Sequence, residues 1–277
     1  MQIAKISEHI GAEVTGIDLS QPLDEATQQQ LYRALVDNIA LVIRDQHFTP
    51  QQFLAATRLF GESMQDEDAK YRMPDLPFVG TVDSMRKNKD GSRVYNGERW
   101  HSDHTNQEFP PKFTTLYAVE LPDNGGATNL ASSKAGFESL PEDFRKRIDG
   151  MQTVNVIVGS AARSKNSDRK KWQQEGTRKP VIQPLVRTNP DTGGKAIYFH
   201  PNKVENIVGM TPEDTQDLLD ELVGYVVRPA FTYVHKWRRG DMLIWDNRSA
   251  LHKAEFDYDP AQRRLLYRCL VKGERPQ

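Results

Sequence analysis

Short apolar runs, each cut off by turn-forming residues, are the strongest constraint on what this chain can fold into. Ile39 to Ile43 (IALVI) is a continuous apolar run that fits a buried strand, although periodicity alone leaves a buried helix segment open. Phe113 to Val119, Val154 to Val158, Val181 to Val186, Ala196 to Phe199, Met242 to Trp245 and Leu265 to Val271 also read as strands. Asp123-Asn124-Gly125-Gly126, Asn189-Pro190-Asp191, Gly193-Gly194 and Arg239-Gly240-Asp241 supply turns between them. Many short strands with few helices predict a mainly β fold with flanking helices, a sandwich or a barrel.

The helices announce themselves by their starts. Asp24 can cap a helix reaching Asn38. Thr49-Pro50-Gln51-Gln52 places Thr at the cap, Pro at the first helical position and Gln where it closes a capping box. Phe48 and Phe53 then occupy the two staple positions, and Gly61 ends the helix. Thr211-Pro212-Glu213-Asp214 repeats the start signal, and a shorter helix is expected from Pro141 to Ile148 before Gly150.

Length and charge narrow the class. At roughly 150 residues per domain, 277 residues allow one large domain or two small ones, enough for a core without staples. Lys plus Arg is 37 and Asp plus Glu is 38, so the net charge of −1 excludes a general electrostatic attraction to nucleic acid or anionic membrane. No apolar run approaches the roughly 20 residues of a membrane span, and MQIAKISEHIGAEV lacks a signal peptide's apolar stretch. The single cysteine, Cys269, excludes an intramolecular disulfide and a Cys-rich zinc site. A cytoplasmic globular protein is expected. Two stretches resist assignment: 62–97, broken by Pro74, Pro77, Gly80 and Gly91, and 160–180, with seven Lys or Arg against two acids. Long structureless loops in compact domains are usually lids or disordered, and the second has too few aromatics for a stacking platform.

The chemistry concentrates in five residues. In Trp100-His101-Ser102-Asp103 an extended backbone turns His101 and Asp103 to one face. The run Met242 to Trp245 leads into a polar turn and delivers His252. Two imidazoles and a carboxylate on one face of a metal leave the opposite positions open, the ligand set of non-haem iron(II) oxygenases. Zinc competes for such a set, although no HExxH helix is present. Arg264 and Arg268 share one strand face with Leu266, about 13 Å apart at about 3.3 Å per residue. Two guanidinium groups turned into a small barrel call for two anions, since an unpaired buried charge is costly; exposure on an edge strand is the plainer alternative.

At this point the chain is similar to the taurine/2,4-dichlorophenoxyacetate dioxygenase (TauD/TfdA) family, the Fe(II)/2-oxoglutarate enzymes. The likeness runs in order through Gly11-Ala12-Glu13-Val14-Thr15-Gly16-Ile17-Asp18-Leu19, Leu41-Val42-Ile43-Arg44-Asp45-Gln46, Trp100-His101-Ser102-Asp103, Gly125-Gly126-Ala127-Thr128, Trp245-Asp246-Asn247-Arg248, His252 and Arg263-Arg264. The resemblance implies a double-stranded β-helix, a cupin-like jelly roll, over a single domain of residues 1–277 with lid loops at 62–97 and 160–180. It implies that His101, Asp103 and His252 bind Fe(II), that Arg264 and Thr128 hold 2-oxoglutarate, and that Arg268 holds the anionic head of the substrate. The implied reaction uses dioxygen to hydroxylate a C–H of a small carboxylate, sulfonate or sulfate ester. C–O, C–S or C–N cleavage follows where that carbon bears the heteroatom. A homo-oligomer, dimer or tetramer, is expected by analogy.

The sequence departs from the family in the substrate region. Asn106 stands where an aromatic is usual, and Gly61-Glu62-Ser63-Met64-Gln65 lacks the histidine that contacts sulfonate in the taurine enzyme. Taurine itself is therefore not the expected substrate. His104 and His200 read as structural or exposed histidines rather than pocket residues. The alternatives are a metal-containing jelly-roll binding module and a zinc hydrolase, neither dependent on 2-oxoglutarate.

Overall fold

The computed structural model describes residues 1–88, 91–94, 97–160 and 179–277. Along the chain it begins with β1 (Gln2–Lys5), β2 (Ala12–Thr15), α1 (Glu25–Asn38), β3 (Ala40–Ile43), α2 (Pro50–Arg58) and β4 (Ser63–Met64). There follow β5 (Arg72–Met73), β6 (Leu76–Asp83), β7 (Phe113–Glu120), β8 (Thr128–Ser132), α3 (Ser133–Glu138) and α4 (Glu142–Ile148). The second half holds β9 (Gln152–Asn155), β10 (Val181–Pro184), β11 (Val186–Thr188), β12 (Lys195–Ile197), β13 (Val204–Ile207) and α5 (Pro212–Val226). The chain finishes with β14 (Thr232–His235), β15 (Met242–Asp246), β16 (Ala250–Ala254) and β17 (Leu265–Val271).

The major sheet has the order β1-β2-β3-β15-β7-β17-β6-β5, with β4 also on β17, and only the β2–β3 pair is parallel. Opposite it lies the sheet β14-β8-β16, and β10-β9-β13 and β11-β12 complete the strands. This is the mainly β fold expected from the strand pattern, in the jelly-roll form that the family resemblance implies.

Two cores lie against the two faces of the major sheet. Leu41 and Ile43 of β3 and Met242 and Ile244 of β15 pack with α1 and α2. Their neighbours Ala40, Val42, Leu243 and Trp245 point the other way, onto Leu130 of β8 and Ala250 of β16. A strand buried on both faces needs no polar alternation, which is why IALVI reads as an unbroken apolar run. The same parity governs β17: Cys269 and Val271 face the helices and Leu266 faces the sandwich interior. Arg268, two residues on, is directed inward with Leu266.

The expected caps form. Thr49 and Gln52 make both halves of the capping box, and the rings of Phe48 and Phe53 lie 6.4 Å apart. Asp24 and Thr211 cap α1 and α5. Gly61 stands just beyond α2, with φ +140°.

Three expectations change. Residues 62–97 are not one long loop: the segment contains β4, β5 and the eight-residue β6, which pairs with β17 through Gly80↔Arg268, Thr81↔Tyr267 and Val82↔Leu266. Pro77 and Gly80 read as breakers in the sequence. Pro77 lies outside the paired positions, and Gly80 fits because a Cβ there would meet the Tyr71 carbonyl at 3.3 Å. Val154 to Val158 begins and ends earlier than expected, as β9, and Val181 to Val186 divides into β10 and the start of β11. Residues 161–178 of the second unassigned stretch lie outside the described residues. If β6 is a true sheet strand, amide exchange of the segment Gly80–Asp83 is slow, comparable with β17. Hydrogen-exchange mass spectrometry showing loop-like exchange there would contradict this pairing.

Candidate active site

An isolated bridge between two backbones brings the histidines together. The N–H of His101 donates to the carbonyl of His252 at 3.0 Å, and that of His252 donates to the carbonyl of His101 at 2.9 Å. The two rings consequently lie 4.1 Å apart between centroids. Asp103, two residues beyond His101, directs Oδ1 to within 3.8 Å of His101 Nε2 and Oδ2 to within 3.8 Å of His252 Nε2. One ligand atom from each residue lies within 4.8 Å of the others, and all three residues are buried. The 3.8 Å separations are too long for hydrogen bonds.

Surrounding groups set tautomer and charge. His101 Nδ1 lies 2.7 Å from the Arg99 carbonyl, which takes the ring N–H and leaves the Nε2 lone pair facing Asp103. Thr114 Oγ1 donates to Asp103 Oδ2 at 2.7 Å, and Asn247 Nδ2 donates to Thr114 Oγ1 at 2.9 Å. Trp245 Nε1 holds the amide of Asn247 in turn, at 3.0 Å. Burial pushes His252 down to about 3 and lowers His101 as well. Burial alone would raise Asp103, but His252, Arg268 and His101 outweigh it and hold the carboxyl well below its ordinary range. Two neutral imidazoles and a carboxylate converge without a proton between them, which fits a divalent cation.

Arg264 forms the second part of the site. It is 4% exposed, its Nε donates to the Gly126 carbonyl at 2.8 Å, and one Nη lies 3.3 Å from Thr128 Oγ1. Among the described residues no carboxylate pairs with it, and burial lowers its pKa to about 10. A buried guanidinium with neutral partners is a site for an anion that the chain does not itself supply. The double glycine makes room for it: a Cβ on Gly126 would lie 2.9 Å from Arg264 Cδ, and φ is +69° there. Trp237 Nε1 donates to Thr128 Oγ1 at 3.1 Å and sets that hydroxyl beside Arg264.

Arg268 lies on the same side, close to the histidine–aspartate cluster. Its Nη2 is 3.2 Å from His104 Nε2 and in contact with the carboxylate of Asp66. The structure therefore brings His101, Asp103 and His252 to one point, sets Thr128 on Arg264, and places Arg268 next to the cluster. His104 and His200 are not remote: the His200 ring is 4.5 Å from that of His101, and burial lowers both pKa values. Sequence reasoning missed Thr114, because nothing in Phe113-Thr114-Thr115 distinguishes one strand threonine from the next. Asp66 was missed because it lay in a stretch without a legible element.

A buried His–Asp–His cluster inside a jelly roll fits a metal-dependent enzyme. The family model for "Taurine catabolism dioxygenase TauD, TfdA family" matches residues 2–270, and the chain belongs to that family of Fe(II)/2-oxoglutarate-dependent dioxygenases. It is 28% identical to the (S)-phenoxypropionate/alpha-ketoglutarate-dioxygenase of Sphingobium herbicidovorans, over 98% of this chain and 95% of that one. It is 31% identical to the alpha-ketoglutarate-dependent sulfate ester dioxygenase of Pseudomonas putida, over 100% of this chain and 91% of the other. The crystal structure of AAD-2 in complex with Mn(II) and N-oxalylglycine superposes with a TM-score of 0.81 at 27% identity, covering 100% of this chain and 99% of that chain. No helix among the described residues is long and apolar enough to cross a membrane.

The hydrogen bond from Thr114 predicts its own test. Thr114→Val removes the donor to Asp103 while keeping the shape, and metal affinity is expected to fall about 10- to 100-fold with the fold unchanged. Titration with Mn(II), followed by the spin resonance of the free ion, measures this. Unchanged affinity would mean that Asp103 is oriented without Thr114.

Proposed function

We propose that His101, Asp103 and His252 are the iron(II) ligands, that Arg264 and Thr128 bind the distal carboxylate of 2-oxoglutarate, and that Arg268 receives the polar head of a small anionic substrate. The observation that carries this reading is Arg264, a buried guanidinium with only neutral partners among the described residues, behind a buried His–Asp–His cluster. Iron(II) with 2-oxoglutarate and dioxygen supplies the oxidising power to hydroxylate an unactivated C–H. The chain's own contribution is placement. Thr114 and Arg99 orient the metal ligands, Gly126 and Thr128 orient Arg264, and the buried Trp245 ring, 4.5 Å from that of His252, forms an apolar wall against water.

Arg264 binds and orients one end of the dicarboxylate, which leaves the keto acid end free to chelate the metal. N-oxalylglycine, present in the AAD-2 structure, has the same two ends. The relatives named above act on a phenoxypropionate and on sulfate esters, both anionic, in line with a guanidinium at Arg268. If the carbon that is hydroxylated carries an ether or ester oxygen, a sulfonate or an amine, collapse of the product cleaves that bond. Of the 62–97 stretch expected to act as a lid, the loop 65–71 between β4 and β5 carries Asp66 onto Arg268 and has that role in this reading. The reading also includes one catalytic domain and, by analogy with family members, a cytoplasmic homo-oligomer with no nucleic-acid partner, checked by analytical ultracentrifugation and fractionation.

The experiment is an anaerobic titration of metal-free protein with iron(II) and then 2-oxoglutarate, followed by visible absorption. A weak charge-transfer band that needs both additions is expected, and His101→Ala and Arg264→Ala should each abolish it. A metal that binds with no such band, and with no response to 2-oxoglutarate, would overturn the assignment in favour of a hydrolytic or purely binding site.

A further inference from the structure

Arg268, which the proposed function assigns to the substrate anion, already has a carboxylate. Its Nη2 meets Asp66 Oδ2, and the Asp66 side chain is only 7% exposed. Asp66 is fixed by its own loop. Its Oδ1 accepts the Asp68 N–H at 3.1 Å, and its carbonyl accepts Arg72 Nε at 2.6 Å. Asp66 also borders a cavity of about 480 Å³ that Glu67, Arg72, Asn106 and Lys179 help to line. Asn106 is 7% exposed as well. Its Nδ2 donates to Glu67 Oε2 at 3.3 Å, while its Oδ1 is buried with no hydrogen-bond partner among the described residues.

These facts bear on what can bind. A plain anion that takes Arg268 leaves the Asp66 carboxylate buried without its counter-charge, and an uncompensated buried charge weakens binding strongly. A substrate with a hydrogen-bond donor beside its anion replaces both halves of the ion pair. The free Asn106 oxygen is a second acceptor for that donor. We propose that Asp66 is a specificity-determining residue that competes with the substrate anion for Arg268 and selects substrates bearing a donor or positive charge next to the anion. The proposal rests on the assignment of Arg268 to the substrate and refines the substrate class.

The test uses the full chain loaded with Mn(II) and N-oxalylglycine, which does not turn over. Calorimetry measures the binding of two matched pairs: hexanoate with norleucine, and ethanesulfonate with aminomethanesulfonate. The unmodified protein is expected to bind the amino member of at least one pair about tenfold or more tightly than the plain anion. Asp66→Asn, which keeps the side chain's shape, should reverse that order by strengthening the plain anion. Asn106→Leu leaves the ion pair intact and should weaken only the amino member, which keeps the test valid if Asp66→Asn folds poorly. The proposal is overturned if the plain anions bind as well as the amino compounds, if neither variant changes the order, or if no probe binds any of the proteins. N-oxalylglycine binding is measured first. Its failure would sink the proposed function itself, whereas normal binding with no dependence on Asp66 removes only this inference.

Discussion

The strict alternation of side chains along β15 and β17 underlies the whole arrangement. Both strands are covered on two sides, so each residue commits to the helix layer or to the sandwich interior. Met242 and Ile244 hold α1 and α2 on the outer face, and Leu243 and Trp245 line the interior. On β17 the same alternation sends Cys269 and Val271 outward and Arg268 inward with Leu266. A slip of one residue would exchange the faces and put a guanidinium into the apolar layer beneath the helices. The register β17↔β7 and β15↔β7 therefore fixes both the core and the site.

Charge inside the molecule is balanced almost everywhere, which makes the exception informative. Arg248 is fully buried and is held by Asp246 and Asp191, each at 2.8 Å. Arg44 bonds Glu13 at 2.7 Å and Asp241 at 2.6 Å, and Arg187 reaches Glu274 at 2.5 Å. Arg268 has Asp66. Arg264 has only neutral partners among the described residues: a carbonyl, a hydroxyl and the Trp237 ring. The His–Asp–His cluster is its mirror image, a set of lone pairs and a negative charge without a proton. In the proposed reading one half of the pocket takes an anion and the other a cation, and a metal-chelating dicarboxylate satisfies both.

Much of this was legible in the sequence, for identifiable reasons. Caps are local, so Asp24, Thr49 and Thr211 could be read without a partner in space. The buried strands could be read because two-sided burial writes itself as an apolar run. His101 and Asp103 could be paired from their spacing, and Gly125-Gly126 marked the loop beside Arg264. What could not be read depends on contacts distant in sequence. β6 contains Pro77 and Gly80 and is a strand only because β17 lies beside it. The ion pair of Asp66 with Arg268 joins residues far apart in the chain, and the hydroxyl of Thr114 matters only because Asp103 faces it.

By itself, then, the sequence determined the class of fold, the starts of α1, α2, α4 and α5, and the candidate metal ligands and anion-binding arginines. These follow from periodicity, capping and side-chain chemistry, all of which act over a few residues. The tertiary structure decided how those arginines are used. Among the described residues it left Arg264 without a carboxylate and gave one to Arg268, because strand pairing and loop packing alone determine which opposite charges meet in a buried site. In water both guanidinium groups are equivalent. Inside the jelly roll one has only neutral partners among the described residues and the other is ion-paired with Asp66.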